Sequence, residues 1–164
     1  MEYKTHEEKL EKLRELMKDI DFAMLTTVDD DGSLHSRPMS TQQVEFDGDL
    51  WFFTLANTGK VSDTLRDNQV NVSYAKPDEH RYVSVSGRAE LLNDRAKMEE
   101  LWSPVYKGYF PEGLDDPNLR LMKIHVDKAE YWESRGFIPT VIAFAQTLAG
   151  KDVEMGRNEK LNLA

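Results

Sequence analysis

The sequence predicts a mainly β protein, namely a small antiparallel β-barrel with flanking helices. Segments in which apolar and polar residues alternate recur along the chain, separated by turn-forming clusters of Gly, Pro, Asp and Asn, and this pattern is typical of antiparallel strands. About six such segments are present, while helical periodicity is confined to the chain ends and the crossovers. One strand is apolar on both faces, so either closure of the sheet or a dimer interface must cover it.

Composition favours one soluble domain. The chain has 164 residues, enough for a core without disulfide or metal staples, and contains no cysteine, which excludes disulfides, thiolate metal sites and cysteine nucleophiles. Its 30 acidic residues outnumber its 21 basic ones, so we expect no nucleic-acid surface. The charged amino terminus and the lack of an apolar run of ~20 residues predict a cytoplasmic protein without membrane contact. We expect one domain over 1–150 and a polar tail, without a core pattern, over 151–164.

Local signals mark the first helix and the first two strands. Thr5-His6-Glu7-Glu8 has the spacing of a capping box, and leucines at helical spacing extend the predicted helix over 5–20. A strand over 22–28 follows, and the cluster over 29–33 predicts a turn into a second strand over 34–46. The three aspartates of that cluster lack the remaining ligands of a calcium loop, so a plain turn is predicted.

The second and third strands are predicted to form a hairpin. Pro38 removes a ladder donor, which indicates an edge strand or a bulge. Asp47-Gly48 predicts a tight turn into an aromatic strand over 49–55. Three residues then lead into a short helix over 60–68: Thr58, Gly59 and Lys60.

The second half of the chain continues the pattern. Its predicted elements are strands over 70–75 and 82–92, a helix from Asp94 toward Trp102, an irregular aromatic loop over 105–117, strands over 119–126 and 129–132, and an apolar helix over 139–148. Gly87 indicates a bulge or a close approach. Loops of this length are typically lids or partner contacts.

The predicted hairpin and its exit loop carry groups that suit a phosphate. Arg37 offers a planar fork of donors and Lys60 a point charge. Thr54 and Thr58 offer hydroxyls, and Gly59 lets a ligand approach the positive end of the following helix. An isolated strand arginine is by default a surface residue, but these groups together favour a phosphate site.

Metal and nucleophile chemistry find little support in the sequence. The four histidines lie far apart without ligand spacing: His6, His35, His80 and His125. His35 shares a strand face with Arg37 and is interpreted as a solvated or hydrogen-bonded histidine that could touch a ligand. Ser84 and Ser86 alternate with core valines and lack a glycine-rich elbow, so neither is a candidate nucleophile.

Several motifs in order resemble one family. These are Ser36-Arg37-Pro38-Met39, Phe53-Thr54, Thr58-Gly59-Lys60, 67–70, 83–89 and Glu130-Tyr131-Trp132. Together they resemble the pyridoxamine 5'-phosphate oxidase-like split barrels, and the segment 101–117 looks most like their general stress protein branch. The resemblance implies a six-stranded antiparallel FMN-binding split barrel, assembled as a homodimer with flavin sites at the interface.

The resemblance also implies roles for matching residues. Arg37 and Lys60 would bind the FMN phosphate, and Thr54 and Thr58 would bind the phosphate or the ribityl chain. The other residues that the resemblance implies for cofactor binding are Pro38, Met39, Phe53, Gly59 and Trp132. Met39 and Phe53 would flank the flavin ring, and Gly59 lies at the helix start. Trp132 would come from the partner subunit or from a strand beside the interface. Trp102, Tyr106, Tyr109 and Phe110 either roof the flavin or pack the dimer.

The sequence also departs from the oxidases. Gly59 stands where they usually carry a second basic residue, Tyr82 stands where a glutamine often contacts the flavin, and neither their substrate-binding Arg-His pair nor their Arg-Pro ending is found. The resemblance therefore implies a flavin-dependent oxidoreductase of unknown substrate rather than an authentic pyridoxamine phosphate oxidase. The alternatives are a non-catalytic flavin-binding stress or sensor protein, or a related barrel that binds deazaflavin or haem.

Overall fold

The computed structural model describes residues 5–42, 46–134, 148–150 and 157–164. Its helices and strands are α1 (His6–Met17), β1 (Phe22–Val28), β2 (Leu34–Ser40), β3 (Asp49–Leu55), α2 (Gly59–Arg66), β4 (Gln69–Lys76), β5 (Arg81–Leu92), α3 (Arg95–Leu101), β6 (Leu119–Glu133) and β7 (Arg157–Asn162). Short 3-10 turns lie at Pro77–Glu79, Pro104–Gly108 and Gly113–Asp115. Within these ranges, no helix combines the length and the apolar character needed to span a bilayer.

The strands form one antiparallel sheet in the order β2-β1-β4-β5-β6-β3, with β7 also paired to β6. β6 is 15 residues long. One of its edges pairs with β5. The other edge pairs with β3 along the first half of β6 and with β7 along the second half. The two ends of this path, β2 and β3, approach within 8 Å between Cα atoms. The sheet therefore curls into a barrel that is split between β2 and β3, as expected from the sequence.

Two apolar clusters hold the fold together. The larger fills the barrel with side chains of the strands and of α1, among them Leu13, Leu25, Phe52 and Tyr131. The smaller surrounds Phe53 on the other face of β3. Both faces of the aromatic strand are thus covered within one chain, the second by α3 and the segment that follows it.

The number of strands differs from the prediction. The sheet has seven strands, because 157–162 pairs with β6 instead of forming part of a polar tail without a core pattern. Leu161 of this strand and Leu163 just after it are buried, and Tyr131 donates its hydroxyl to Glu159. Two leucines are too few to give a recognisable alternation of apolar and polar residues. The strand forms because β6 extends beyond β3 and offers unpaired backbone groups for hydrogen bonding, which no local sequence pattern reveals.

The predicted β2–β3 hairpin is also wrong. β2 ends at Ser40 rather than 46, and in the described residues it pairs with β1 whereas β3 pairs with β6. The Asp47-Gly48 turn is present, with Gly48 at φ 115°, and its carbonyl accepts from Val126 N–H of β6 at 3.0 Å. A turn signal identifies a change of direction but not the strand that will be reached, and here that strand lies far along the chain.

Several local predictions are confirmed. Thr5 and Glu8 form both bonds of the capping box, and Pro38 lies on an edge strand. The ladder register shifts at Ser86/Gly87, and a Cβ at Gly87 would lie 2.1 Å from the carbonyl oxygen of His125. β6, in contrast, continues through 127–128 where two separate strands were expected, and most of the predicted helix over 139–148 lies outside the described residues.

Candidate functional site

A polar cavity of about 620 Å³ opens where β2 meets the start of α2. It is lined by Asp29, Asp30, Asp31, His35, Arg37, Thr58, Gly59 and Asp63. The turn between β1 and β2 supplies the three consecutive aspartates, β2 supplies the histidine and the arginine, and α2 supplies Asp63. The described side chains of this cavity therefore place one permanent cation among four carboxylates.

Arg37 is held from three sides. Its Nη1 donates to Thr27 Oγ1 at 2.7 Å, its Nη2 donates to His35 Nδ1 at 3.2 Å, and Asp63 Oδ2 lies 3.7 Å from Nη2. Burial lowers the pKa of Arg37, while the charges of Asp63 and Asp29 act against this effect. Because a guanidinium titrates far above neutral pH, it remains a fixed cation with a restricted orientation.

The start of α2 is open toward this cavity. Thr58 is its N-cap with extended φ and ψ, but makes no side-chain capping bond, and the first turn contains no acidic residue. Thr58 Oγ1 instead donates to the carbonyl of Leu55 at 2.9 Å. A Cβ built on Gly59 would meet no atom within 4 Å. The first N–H groups of a helix lack intrahelical acceptors, so this end presents donors and free space to an anion.

An apolar cavity of about 300 Å³ adjoins the polar one at Thr58, which lines both. Its other lining residues are Phe22, Pro38, Met39, Ser40, Gln42, Phe53, Leu55, Tyr106, Tyr109 and Phe110. The end of β2, the end of β3 and the segment after α3 build it together. Among the described residues that line it, the titratable side chains are those of the two tyrosines.

Aromatic side chains build one wall of the apolar cavity. Phe53 packs edge-on against Trp102 at 5.3 Å between ring centroids and lies 5.6 Å from Tyr106 and 6.3 Å from Phe110. The Tyr106 hydroxyl donates to Gln42 Oε1 at 3.2 Å, and burial raises the pKa of Tyr106. Of the four aromatics that the sequence left undecided, Tyr106, Tyr109 and Phe110 line the cavity, whereas Trp102 packs behind Phe53.

The predicted site residues divide into four groups. Arg37, Thr58 and Gly59 meet at the polar cavity, and Pro38, Met39 and Phe53 line the apolar one. Lys60 belongs to α2, but its side chain lies outside the described part of the structure.

Two predicted residues line neither cavity. Thr54 is fully buried, and its Oγ1 has no hydrogen-bond partner among the described residues. Trp132 lies on β6 opposite Tyr82 and is 42% exposed. The chain by itself therefore does not bring either side chain to the cavities.

Three residues that hold the site were not predicted: Thr27, Gln42 and Asp63. Asp63 lies four residues after Gly59 on α2, so helical periodicity places both on one face and was a usable signal. Thr27 is the cross-strand neighbour of His35, and only the strand register reveals it. Gln42 follows the end of β2 and carries no local signal. Within the described ranges, no group of three His, Asp or Glu is arranged to hold a metal ion.

Comparison with known proteins assigns the family. The family model described as pyridoxamine 5'-phosphate oxidase like matches residues 8–154. This chain belongs to that family. Among curated relatives of the oxidase-like chain is protein bli-3 of Neurospora crassa, 30% identical over 135 residues. The match covers 76% of this chain and 65% of bli-3, so it spans less than two thirds of that relative's length.

Solved structures agree on the split-barrel fold of the oxidase-like family. The protein from Clostridium acetobutylicum related to general stress protein 26 superposes with a TM-score of 0.72 at 19% identity, covering 96% of both chains. The general stress FMN/FAD binding protein from Xanthomonas citri superposes with a TM-score of 0.68 at 26% identity, covering 82% of this chain and 94% of that one.

Proposed function

We propose that this protein binds FMN at the two adjoining cavities and acts as a flavin-dependent oxidoreductase. The observation that carries the proposal is the meeting, at Thr58, of a polar cavity that contains Arg37 and a helix start with an apolar cavity walled by aromatics. FMN has the matching division into a phosphate and a flat ring. The Xanthomonas citri protein, described as FMN/FAD binding, supports a flavin ligand.

The polar cavity fits the phosphate. Arg37 supplies a fixed charge and a fork of donors, and the open start of α2 supplies backbone N–H groups and the positive end of the helix. Gly59 leaves the space that a side chain would otherwise occupy. Lys60, whose side chain is not described, is the remaining cation that we place at the phosphate.

The apolar cavity fits the ring system. Met39 and Phe53 are 6% and 5% exposed and offer dry, apolar walls, which is the usual environment of a cofactor ring. The bond from Tyr106 to Gln42 leaves the amide nitrogen of Gln42 available to a polar edge of the ring. In the oxidases a glutamine at the position of Tyr82 often contacts the flavin. We propose that Gln42 makes this contact here.

The chain's own residues would bind and orient the cofactor rather than react. Bound FMN would supply hydride or electron transfer. Because burial raises the pKa of Tyr106, its phenol stays protonated near neutral pH and keeps its hydrogen bond to Gln42. The aromatic wall would exclude water from one side of the ring.

We further propose a homodimer whose interface includes the outer face of β1, β4, β5 and β6. On this face Ser73 lies between Met24 and Ser84, and Tyr82 lies beside Trp132. Met24, Tyr82 and Trp132 are 41%, 40% and 42% exposed, and a second copy that covers them would bring Trp132 to the partner's flavin site.

Titration of the purified protein with FMN tests the proposal. We expect the fluorescence of added FMN to be quenched on binding and the protein to show flavin absorbance. A colourless protein that takes up no FMN would overturn the proposal, and a Soret band would indicate the haem alternative. Turnover with NADH or NADPH would then distinguish an oxidoreductase from a non-catalytic flavin-binding stress or sensor protein.

A further inference from the structure

We propose that His35 completes the phosphate site of this protein and that FMN binding takes up a proton there, so that FMN affinity falls as the pH rises. This inference rests on the proposed function and adds a residue and a proton linkage to the same site.

His35 is placed to reach the ligand. It lies two residues before Arg37 on β2, on the same face of the strand, and lines the polar cavity together with Thr58 and Gly59. Its side chain is 58% exposed, so a bound anion can contact it. It therefore stands beside the anchoring cation of the phosphate rather than on an unrelated surface.

The contact with Arg37 determines which nitrogen of neutral His35 carries the proton. A guanidinium only donates, so Nδ1 of His35, 3.2 Å from Arg37 Nη2, accepts. The proton of the neutral ring is then on Nε2. Neutral His35 already has one N–H that can donate to a phosphate oxygen.

The surrounding charges explain why a ligand would add a second proton. The positive charge of Arg37 on β2 disfavours protonation of His35. The carboxylate of Asp29 in the β1–β2 turn, 3.7 Å from His35 Nδ1, favours it. Asp63 on α2 is already paired with Arg37 and Arg66. A bound phosphate brings a charge of about −2, which tips this balance toward the imidazolium, and its new Nδ1–H can then turn to Asp29.

The remaining carboxylates of the cavity have partners of their own. Asp30 forms an ion pair with Arg66, and Asp31 accepts from the backbone and hydroxyl of Ser33 at 2.9 and 2.6 Å. The cavity is nevertheless rich in negative charge, since four carboxylates line it together with Arg37. A protonated His35 adds positive charge beside Arg37 and offsets part of that negative charge.

The test is FMN affinity between pH 6.5 and 8.5, measured by quenching of flavin fluorescence on the full chain. Phosphate monoesters have a second pKa near 6, so the ligand keeps most of its charge across this window, while imidazoles titrate within it. We expect the dissociation constant of the unaltered protein to rise by about fivefold or more toward pH 8.5, and isothermal titration calorimetry in buffers of different ionisation enthalpy to show proton uptake at pH 7.

Two variants separate His35 from a general effect. His35→Gln keeps an acceptor and a donor but cannot be charged, so its FMN affinity should be weaker at pH 6.5 and nearly independent of pH. His125→Gln is the matched control, because His125 is 54% exposed and also contacts one carboxylate, Asp49, at 3.0 Å, but does not line the cavity. It should retain the behaviour of the unaltered protein.

Riboflavin, which lacks the phosphate, distinguishes an effect at the phosphate site from an effect on flavin binding as a whole. Its affinity should change neither with pH nor with His35→Gln. If His35→Gln retains the full pH dependence of FMN binding, the inference about His35 is wrong while the flavin site stands. If the unaltered protein binds neither flavin, the proposed function fails and the inference with it.

Discussion

The polar and apolar cavities meet at Thr58 but are built in different ways. The polar cavity takes its groups from β2, the turn before it and the start of α2, and its side chains are partly exposed and charged. The apolar cavity needs β2, β3 and the segment after α3, and its main wall, around Phe53, belongs to a buried cluster. One half of the site therefore depends on electrostatics and the other on tertiary packing, and substitutions should separate the two.

The largest expected effect is a loss of stability from a substitution in the apolar cavity. Phe53→Ala removes a ring that is 5% exposed and contacts three other aromatics, so unfolding in urea should show a loss of about 3–5 kcal/mol. Phe22→Ala, at a ring 52% exposed on the rim of the same cavity, is the control and should change stability far less. Equal losses from both variants would contradict the packing that we describe.

The next largest expected effect is a loss of FMN affinity from a substitution in the polar cavity. Arg37→Ala removes a charge-assisted contact and should weaken FMN binding by about 1.5–3 kcal/mol, measured by fluorescence titration. Riboflavin affinity should stay nearly constant, because riboflavin has no phosphate. Arg88→Ala, at a surface arginine paired with Asp127 at 3.0 Å, serves as the control, and an equal loss there would show that the phosphate site is misplaced.

Tyr106→Phe should affect the apolar half alone. Loss of the bond to Gln42 should cost about 0.5–1.5 kcal/mol in unfolding free energy and weaken FMN and riboflavin alike. Because burial raises the pKa of Tyr106 in the folded state, its contribution to stability is present below pH ~10, where an unfolded tyrosine ionises, and is lost as the pH rises further. The variant should therefore lose less stability than the unaltered protein between pH 9 and 11 in thermal unfolding.

Gly59→Ala should have the smallest effect and locates the boundary between the two halves. The added Cβ meets nothing within 4 Å in the chain, so thermal unfolding should be unchanged or slightly improved. FMN binding should weaken by up to about 1 kcal/mol, the value of one hydrogen bond to the helix start. Weaker riboflavin binding to the same degree would mean that the phosphate does not lie at Gly59.

Local sequence was sufficient wherever one element and its immediate neighbours decide the structure. The start of α3 at Asp94, the bulge at Gly87 and the strand β1 follow from short-range sterics and hydrogen bonding, and each was predicted. The charged half of the site was accessible for the same reason, since Arg37 belongs to one strand and Thr58 to one helix start.

Long-range pairing was not accessible in the same way. The chain contains a turn at Asp47-Gly48, but only the sheet reveals that β3 pairs with β6 and leaves β2 at the opposite end. β7 likewise needs the free edge of β6, because its own apolar residues are too few to predict a buried strand.

The sequence by itself determined the periodicity of the strands, the starts of α1 and α3 and the row of polar groups from Arg37 to Gly59, because neighbouring residues interact whatever the rest of the chain does. Only the tertiary structure decided that Phe53 and Tyr106 form one wall of the apolar cavity and that Asp63 and Thr27 hold Arg37. Each of these contacts joins residues from separate elements, and the sheet register that unites them is set by burial over the whole barrel.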